Sequence, residues 1–228
     1  MRLSIVIPVY NEGSHIERIV REIHEELQKV ESDFEIVVVD NGSIDDTQAI
    51  LKALQREMPR ARAHRVFPNC GYGGGVLAGL AIARSEIVGW TDGDGQISAG
   101  ILGEMYEKMR QENLVFLKAK RTVRYDGILR ALQSKIYNLI FQALFSTSVS
   151  DVNAKPKFFR RSFYEDIGLV SVDFFIDAEI VIKALQSGVP IREHPIIFQS
   201  RQGGSSKIGL GAGLEFIKNL LYYRFFKR

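Results

Sequence analysis

Short strand-like segments alternating with helical patterns set the limits on what the first half of this chain can become. Leu3–Val9, Phe34–Asp40, Ala63–Phe67 and Glu86–Thr91 have strand length, and all but the third are nearly continuous in apolar residues. Helical patterns occupy Ser14–Val30, Asp45–Glu57, Gly73–Arg84 and Ala99–Gln111. Apolar strands separated by helices need cover on both faces, which means an α/β fold with a mostly parallel central sheet and helices on both sides. Ligands of such sheets collect at the carboxyl ends of the strands. The polar residues there are Tyr10-Asn11-Glu12, Asp40-Asn41-Gly42-Ser43 and Asp92-Gly93-Asp94-Gly95-Gln96. One crevice should hold all three.

The second half is less regular. Leu114–Ala119 reads as a strand leading into a basic loop, followed by a helix over Ile128–Phe145. Pro156–Arg160 and Pro190–Gln199 read as strands, and Asp177–Ser187 as a helix closed by Gly188. Arg201–Lys207 is a polar, glycine-containing loop, and Leu210–Arg228 reads as an amphipathic helix. The length of 228 residues suffices for one large α/β domain, and no repeat or linker divides it.

A net charge of +3 is too small to indicate a nucleic-acid partner. The distribution says more: Lys118, Lys120, Arg121, Arg124, Arg130 and Lys135 stand against Asp126 alone, and a second basic stretch runs from Arg192 to Arg228. Such stretches suit an anionic ligand or an anionic surface. Cys70 is the only cysteine, so an internal disulfide or a cysteine-based zinc site is excluded, which fits a reducing compartment. The chain enters its first strand without a signal-peptide pattern. No uncharged apolar run reaches the roughly 18 residues a membrane-spanning helix needs.

Asp92-x-Asp94-x-Gln96 is the sharpest chemical signal. Oxygen side chains alternating in a strand-end loop can turn toward one point and hold a hard cation such as Mg²⁺ or Mn²⁺, which shares its other positions with phosphates. A solvated Asp-Gly turn has the same composition. Asp40 can accept hydrogen bonds from a base or a ribose, or serve a turn and helix start. Gly73-x-Gly75-x-x-Ala78 matches a relaxed dinucleotide fingerprint, but that fingerprint belongs after a strongly apolar first strand, not a charged third one. Arg130, Ser134 and Asn138, spaced i, i+4, i+8, share a helix face; with Arg121 they suit a phosphate, and a solvated face has the same pattern. Arg201 and Lys207 flank glycines that would let a lid close over anionic groups, or that mark an exposed loop.

Taken together these residues resemble family 2 glycosyltransferases with the GT-A fold, above all the branch of dolichyl- and polyprenyl-phosphate sugar synthases. Ile5-Val-Ile-Pro8-Val-Tyr10-Asn11-Glu12, Val37-Val-Val-Asp40-Asn41-Gly42-Ser43 and Asn69-x-Gly71-x-Gly73 resemble the family's nucleotide loops, and Asp92-x-Asp94-x-Gln96 its metal motif. Arg121 with Arg130-x-x-x-Ser134 resembles the stretch that holds an acceptor phosphate, and Glu193 through Lys207 the loop that closes over the donor diphosphate. Asn153-Ala-Lys-Pro156 replaces the usual glycine-containing stretch after Asp151.

The resemblance implies a catalytic domain over residues 1–208. The tail over 209–228 sets apolar and aromatic residues beside terminal cations, which suits an amphipathic, membrane-interfacial helix or a helix packed on the domain or a partner subunit. The resemblance also implies an inverting transfer of a sugar from a GDP- or UDP-sugar to a polyprenyl or dolichyl phosphate. Pro8, Tyr10, Glu12, Asp40, Asn69, Gly71 and Asp92 would bind the nucleotide, and Asp92, Asp94 and Gln96 would hold Mg²⁺ or Mn²⁺. Arg201 and Lys207 would clamp the diphosphate beside Asp94, while Arg121, Arg130 and Ser134 would bind the acceptor phosphate. The expected place of work is the cytoplasmic face of a membrane, with a membrane partner subunit allowed for and no nucleic acid. Two other readings stand beside this one: a family 2 enzyme acting on a saccharide or glycolipid hydroxyl, with Asp177 or Glu179 as base, and a non-catalytic nucleotide-sugar-binding subunit.

Overall fold

The computed structural model describes residues 1–125, 127–199 and 212–226. Seven strands form one sheet: β1 (Leu3–Val9), β2 (Phe34–Asn41), β3 (Ala61–Val66), β4 (Ile87–Trp90), β5 (Phe116–Arg124), β6 (Lys157–Arg160) and β7 (Ile191–Phe198), in the spatial order β3-β2-β1-β4-β6-β5-β7. β1 lies parallel to β2 and β4, β2 to β3, and β5 to β7. Only β6 runs the other way, antiparallel to both β4 and β5.

Alternation along each strand sends side chains to opposite faces. Val6, Val37, Val39, Val88 and Trp90 point into one apolar layer, completed by α3 (Tyr72–Ile82), α5 (Ile128–Phe145), α6 (Arg161–Ile167), α7 (Ile176–Gln186) and α8 (Ala212–Phe226). Leu3, Ile5, Ile7, Ile36 and Val38 point into the other, under α1 (Ile16–Val30), α2 (Thr47–Glu57) and α4 (Gly100–Gln111). A fully buried side chain of this kind stabilises by about 1.5–3 kcal/mol, so two such layers fix the sheet's register.

The expected mostly parallel sheet, covered on both faces, is what the chain forms. Several boundaries move for local reasons. α1 begins at Ile16 because Glu12 to His15 form a turn first. α2 begins at Thr47, since the Asp45 carboxylate is occupied with the amides of Thr47 and Gly13. The strand expected to stop at Ala119 continues to Arg124, because β7 supplies a parallel partner that pairs Lys120 with Pro195 and Arg121 with Ile196. The basic residues after Ala119 therefore stand on a strand and not in a loop. α6 was not legible: seven residues leave too short a period to read.

The C-terminal helix is docked on the core. Leu220 and Tyr223 are buried, and Tyr223 packs against Phe175 at 5.4 Å between ring centroids. The proposed boundary near residue 208 lies outside the described residues. Among the described residues no helix is long and apolar enough to cross a membrane.

Candidate active site at the carboxyl edge of the sheet

The ends of β1, β2 and β4 meet as expected, and their loops are tied in series. Asn11 is held at φ 55°: its amide donates to Ser43 Oγ (2.9 Å) and its side-chain oxygen accepts from the Ile44 amide (2.9 Å). The Glu12 amide donates to Thr47 Oγ1 (3.0 Å). Asn41 then links the second loop to the third, donating to the Gly71 carbonyl (2.7 Å) and accepting from the Cys70 amide (3.1 Å). Asn69 returns a bond to the Asn41 carbonyl (2.8 Å). Tyr72 Oη closes the series by donating to Asp92 Oδ1 (3.0 Å).

Within this frame Asp40 is 2% exposed. Its Oδ1 accepts from the Ser43 amide (2.9 Å), whereas Oδ2 is buried without a hydrogen-bond donor, with Arg65 Nε 3.7 Å away. A buried carboxylate oxygen lacking a donor is an acceptor waiting for one. Pro8 backs this wall, 3.2 Å from where a Cβ on Gly75 would stand. Tyr10 is half-buried, and Glu12 is buried with His15 Nε2 2.7 Å from it.

The Asp92–Gln96 loop divides into two parts. Both oxygens of Asp92 are engaged: Oδ1 by Tyr72, Oδ2 by Lys155 Nζ at 3.1 Å. Asp94 Oδ1 accepts from the Gln96 amide (3.1 Å). Gln96 Nε2 donates to the Gln199 carbonyl (3.1 Å), which leaves the amide oxygen as the end turned elsewhere. Among the described residues no group of three acidic, histidine or cysteine side chains is poised for a metal. The residues that fit a hard cation are Asp94 and Gln96, one carboxylate and one amide oxygen. Few protein ligands suit an ion that shares its sphere with phosphates and water. The expectation that Asp92 joins them meets a competing ammonium already in place.

That ammonium was missed in the sequence, although Asn153-Ala-Lys-Pro156 flagged its segment as unusual. Lys155 Nζ bridges Asp92 and Asp177 (3.2 Å) and lies 4.8 Å above the Tyr72 ring, which stacks on Phe174. Lys157, fully buried, donates to the other oxygen of Asp177 and to the Ala154 carbonyl. Burial opposes the charge on Lys155, but Asp177 and Asp92 prevail and hold its pKa above that of an ordinary lysine. Burial pushes Lys157 down to about 8 against the pull of Asp177. Asp177 is thus held by two cations. Glu179 is engaged differently: it accepts from the amides of Val170 and Ser171 and pins the loop that packs on α3.

Arg121 is brought to the same side and paired. Its guanidinium and backbone amide donate to Asp151 (Nε to Oδ2, 2.8 Å) and it covers the Phe198 ring at 5.1 Å. Burial raises the Asp151 carboxyl, but the Arg121 bonds and charge prevail and hold it at about 2. α5 is moored to this segment by Asn138, whose oxygen accepts from the Val152 amide (2.9 Å), and by Gln142, which donates to the Val149 carbonyl (3.1 Å). Ser134 and Arg130 continue the same helical face beyond Asn138, half-buried and exposed respectively. Arg201 and Lys207 lie outside the described residues. Gly73 and Gly75 are inside α3, Gly73 against the carbonyls of Ser171 and Asp173, so they do not form a dinucleotide loop.

Residues 4–168 match the family described as glycosyl transferase family 2. The chain belongs to that family. Among curated relatives, the dodecaprenyl-phosphate galacturonate synthase of Rhizobium johnstonii is 26% identical over 231 aligned positions, covering 100% of this chain and 68% of the relative. The undecaprenyl-phosphate 4-deoxy-4-formamido-L-arabinose transferase of Sodalis glossinidius is 26% identical, covering 92% of this chain and 63% of the relative. The chain therefore spans about two thirds of the length of these two relatives. Among solved structures, glucosyl-3-phosphoglycerate synthase from Mycobacterium tuberculosis, in complex with Mn²⁺, UDP and phosphoglyceric acid, superposes with a TM-score of 0.79 at 17% identity, over 98% of this chain and 78% of that one. That likeness establishes the GT-A fold. This family 2 glycosyltransferase thus has homologues named for sugar transfer to polyprenyl phosphates.

Proposed function

We propose that this glycosyltransferase moves a sugar from a nucleoside-diphosphate donor to a polyprenyl phosphate, with Mg²⁺ or Mn²⁺ held by Asp94 and Gln96. The observation that carries the acceptor class is the state of Asp177. A hydroxyl acceptor must lose a proton to a base, whereas a phosphate is already ionised near neutral pH. The acidic side chains that could serve as a base are Asp177, bonded to Lys155 and Lys157, and Glu179, occupied by backbone amides. Neither is placed to take a proton. The names of the relatives, both polyprenyl-phosphate enzymes, support the same class.

The remaining residues take roles that follow from their chemistry. Asp40 Oδ2 would accept from a base N–H or a ribose hydroxyl, with Pro8, Tyr10, Glu12, Asn69 and Gly71 shaping the nucleotide cleft. A bound divalent ion supplies charge neutralisation to the diphosphate as the glycosidic bond breaks; the solved fold neighbours hold Mn²⁺ or Mg²⁺ with UDP. Asp92, fixed by Tyr72 and Lys155, would present a rigid edge to the donor sugar or ribose. Arg201 and Lys207 would draw over the leaving diphosphate, and Arg121, Arg130 and Ser134 would orient the acceptor phosphate. One displacement from the opposite face gives inversion. Because the acceptor class is lipid-borne, the enzyme would work at a membrane surface.

The test is a transfer assay offering UDP- and GDP-sugars with a short polyprenyl phosphate, with and without Mn²⁺ or Mg²⁺. Metal-dependent formation of the prenyl-phosphate sugar is expected. Asp94→Ala should lower turnover by about 10³-fold while leaving the melting temperature within a degree or two. Near-normal turnover in that variant, or transfer only to a hydroxyl, would remove the reading. Donor binding without any transfer would favour the non-catalytic subunit.

A further inference from the structure

We infer that Lys155 reserves Asp92 for the donor and keeps it out of the metal's coordination sphere, so that Asp94 and Gln96 are the ion's only protein ligands. The inference deepens the proposed function and rests on its metal reading. Sheet register brings the two side chains together. β4 and β6 run antiparallel with Trp90 opposite Lys157. Two residues beyond the end of that ladder, on either strand, stand Asp92 and Lys155, and Lys155 Nζ lies 3.1 Å from Asp92 Oδ2. Residues opposite one another on neighbouring strands interact through their side chains. Asn153-Ala-Lys-Pro156 is the stretch in which this sequence departs from the glycine-containing pattern it otherwise resembles. A glycine at 155 would bring no ammonium to Asp92.

The ammonium is held from more than one side. Asp177 Oδ2 lies 3.2 Å from it, and Asp177 is buried and paired in turn with Lys157. The Tyr72 ring centre lies 4.8 Å from Nζ, and that ring stacks on Phe174 at 4.9 Å between centroids. Tyr72 also donates to Asp92 Oδ1 (3.0 Å), so one aromatic side chain supports both members of the pair. The Lys155 side chain is 14% exposed, which sets this pair apart from solvated surface bridges that contribute little.

The pair has a consequence for the cation. A divalent ion on Asp92 Oδ2 would sit about 2 Å from an oxygen that already carries an ammonium. Like charges at such separations repel strongly in a partly buried site. Asp94 and Gln96 then offer two oxygens to an ion that takes about six, and water or phosphate must supply the rest. An ion held in this way binds weakly in water and firmly once a diphosphate adds its own oxygens, which ties its arrival to that of the donor. Asp92 keeps its charge and its direction for hydroxyls of the donor.

The test is Mn²⁺ binding to the full chain without nucleotide, followed by the paramagnetic resonance of the free ion. Lys155→Met keeps most of the side chain's bulk and removes the ammonium. It should bind Mn²⁺ at least about tenfold more tightly than wild type, because Asp92 is released to ligate. Lost packing does not tighten a metal site, so a Lys155 with a structural role alone would not give that result. Lys155→Met/Asp92→Asn should return to the wild-type affinity, and Asp92→Asn alone should stay within about twofold of it. The inference is overturned by a folded Lys155→Met that binds Mn²⁺ no more tightly than wild type, or by tightening that survives in the double variant. Should Lys155→Met not fold, a large loss of Mn²⁺ affinity in Asp92→Asn overturns it instead. Asp94→Ala, measured with UDP present, separates this inference from the reading beneath it. If Asp94→Ala loses Mn²⁺ while Lys155→Met matches wild type, the metal reading stands and the role of Lys155 falls. If Asp94→Ala holds Mn²⁺ as wild type does, the metal reading falls and takes this inference with it.

Discussion

Arg121 and Asp151 form a buried ion pair because β5 continues past Ala119 beside the 149–154 segment. Asp151 is 7% exposed and held at about 2, below its ordinary 3.8, so its contribution has a definite sign. A carboxylate with a depressed folded pKa stabilises above its unfolded value and loses that stability as the pH falls toward the folded one. The loss amounts to about 2 kcal/mol, spread between about pH 4 and pH 2. Urea unfolding across that window should show the wild type losing about that much more than Asp151→Asn; parallel curves would contradict the pairing. Lys157 poses the complementary case. Its ammonium and Asp177 are both fully enclosed, and Lys157→Met strands one oxygen of Asp177 without its donor. Breaking a buried pair from one side costs about 3 kcal/mol or more, whereas removing both charges is far milder. Denaturant midpoints should therefore place Lys157→Met/Asp177→Asn well above the sum of the two single changes. Simple additivity would mean the pair is not coupled.

At the scale of elements, what was legible followed from period and what was not followed from partners. β1, β2 and β4 announced themselves because strands at the middle of a parallel sheet are apolar on both faces. β3 and β5 carry charge and were misjudged at their ends, since an edge or a parallel neighbour decides how far a strand runs. α3 is the sharpest lesson. Its run Gly73-Gly74-Gly75 matches a relaxed dinucleotide fingerprint, yet the helix expected from Gly73 forms there and the glycines serve close packing. A Cβ on Gly73 would collide with the carbonyl oxygens of Ser171 and Asp173, and one on Gly79 with Val6 on β1. The contact at Gly73 is with backbone, which cannot swing aside as a side chain does. Gly73→Ala should push the 171–173 segment off α3 and cost about 1–3 kcal/mol, despite alanine's better helix propensity. Because Tyr72 is the preceding residue and carries the bond to Asp92, donor KM should rise as well. A Gly73→Ala protein that is as stable as wild type, with unchanged donor KM, would show that the segment yields freely.

For the whole molecule, the site exists because seven strands in this order bring residues far apart in sequence to one edge: Asp40, Asp94 and Lys155 come from segments that share no local pattern. The strand ends could be read in advance, but the cation among them could not, since Lys155 reaches Asp92 only after β6 inserts antiparallel between β4 and β5. This assembly predicts how the fold should respond to a ligand. On the proposed reading, a nucleoside diphosphate alone would meet Asp40 and the nucleotide loops, but its phosphates would approach an edge already lined by Asp92 and Asp94. Mn²⁺ held by Asp94 and Gln96 would offset that negative charge. A ligand present at about 100 times its Kd stabilises the folded state by about 2.7 kcal/mol, or about 5 to 10 °C in melting temperature for a chain of this size. GDP or UDP with Mn²⁺ should reach that range, and either one without metal should fall well short. Asp94→Ala should remove the metal-dependent part and keep the rest, while Asp40→Asn should weaken both. Equal shifts with and without Mn²⁺ would mean that Asp94 and Gln96 do not hold the ion against the diphosphate. A comparable shift with a nicotinamide dinucleotide would reopen the reading of the glycine run.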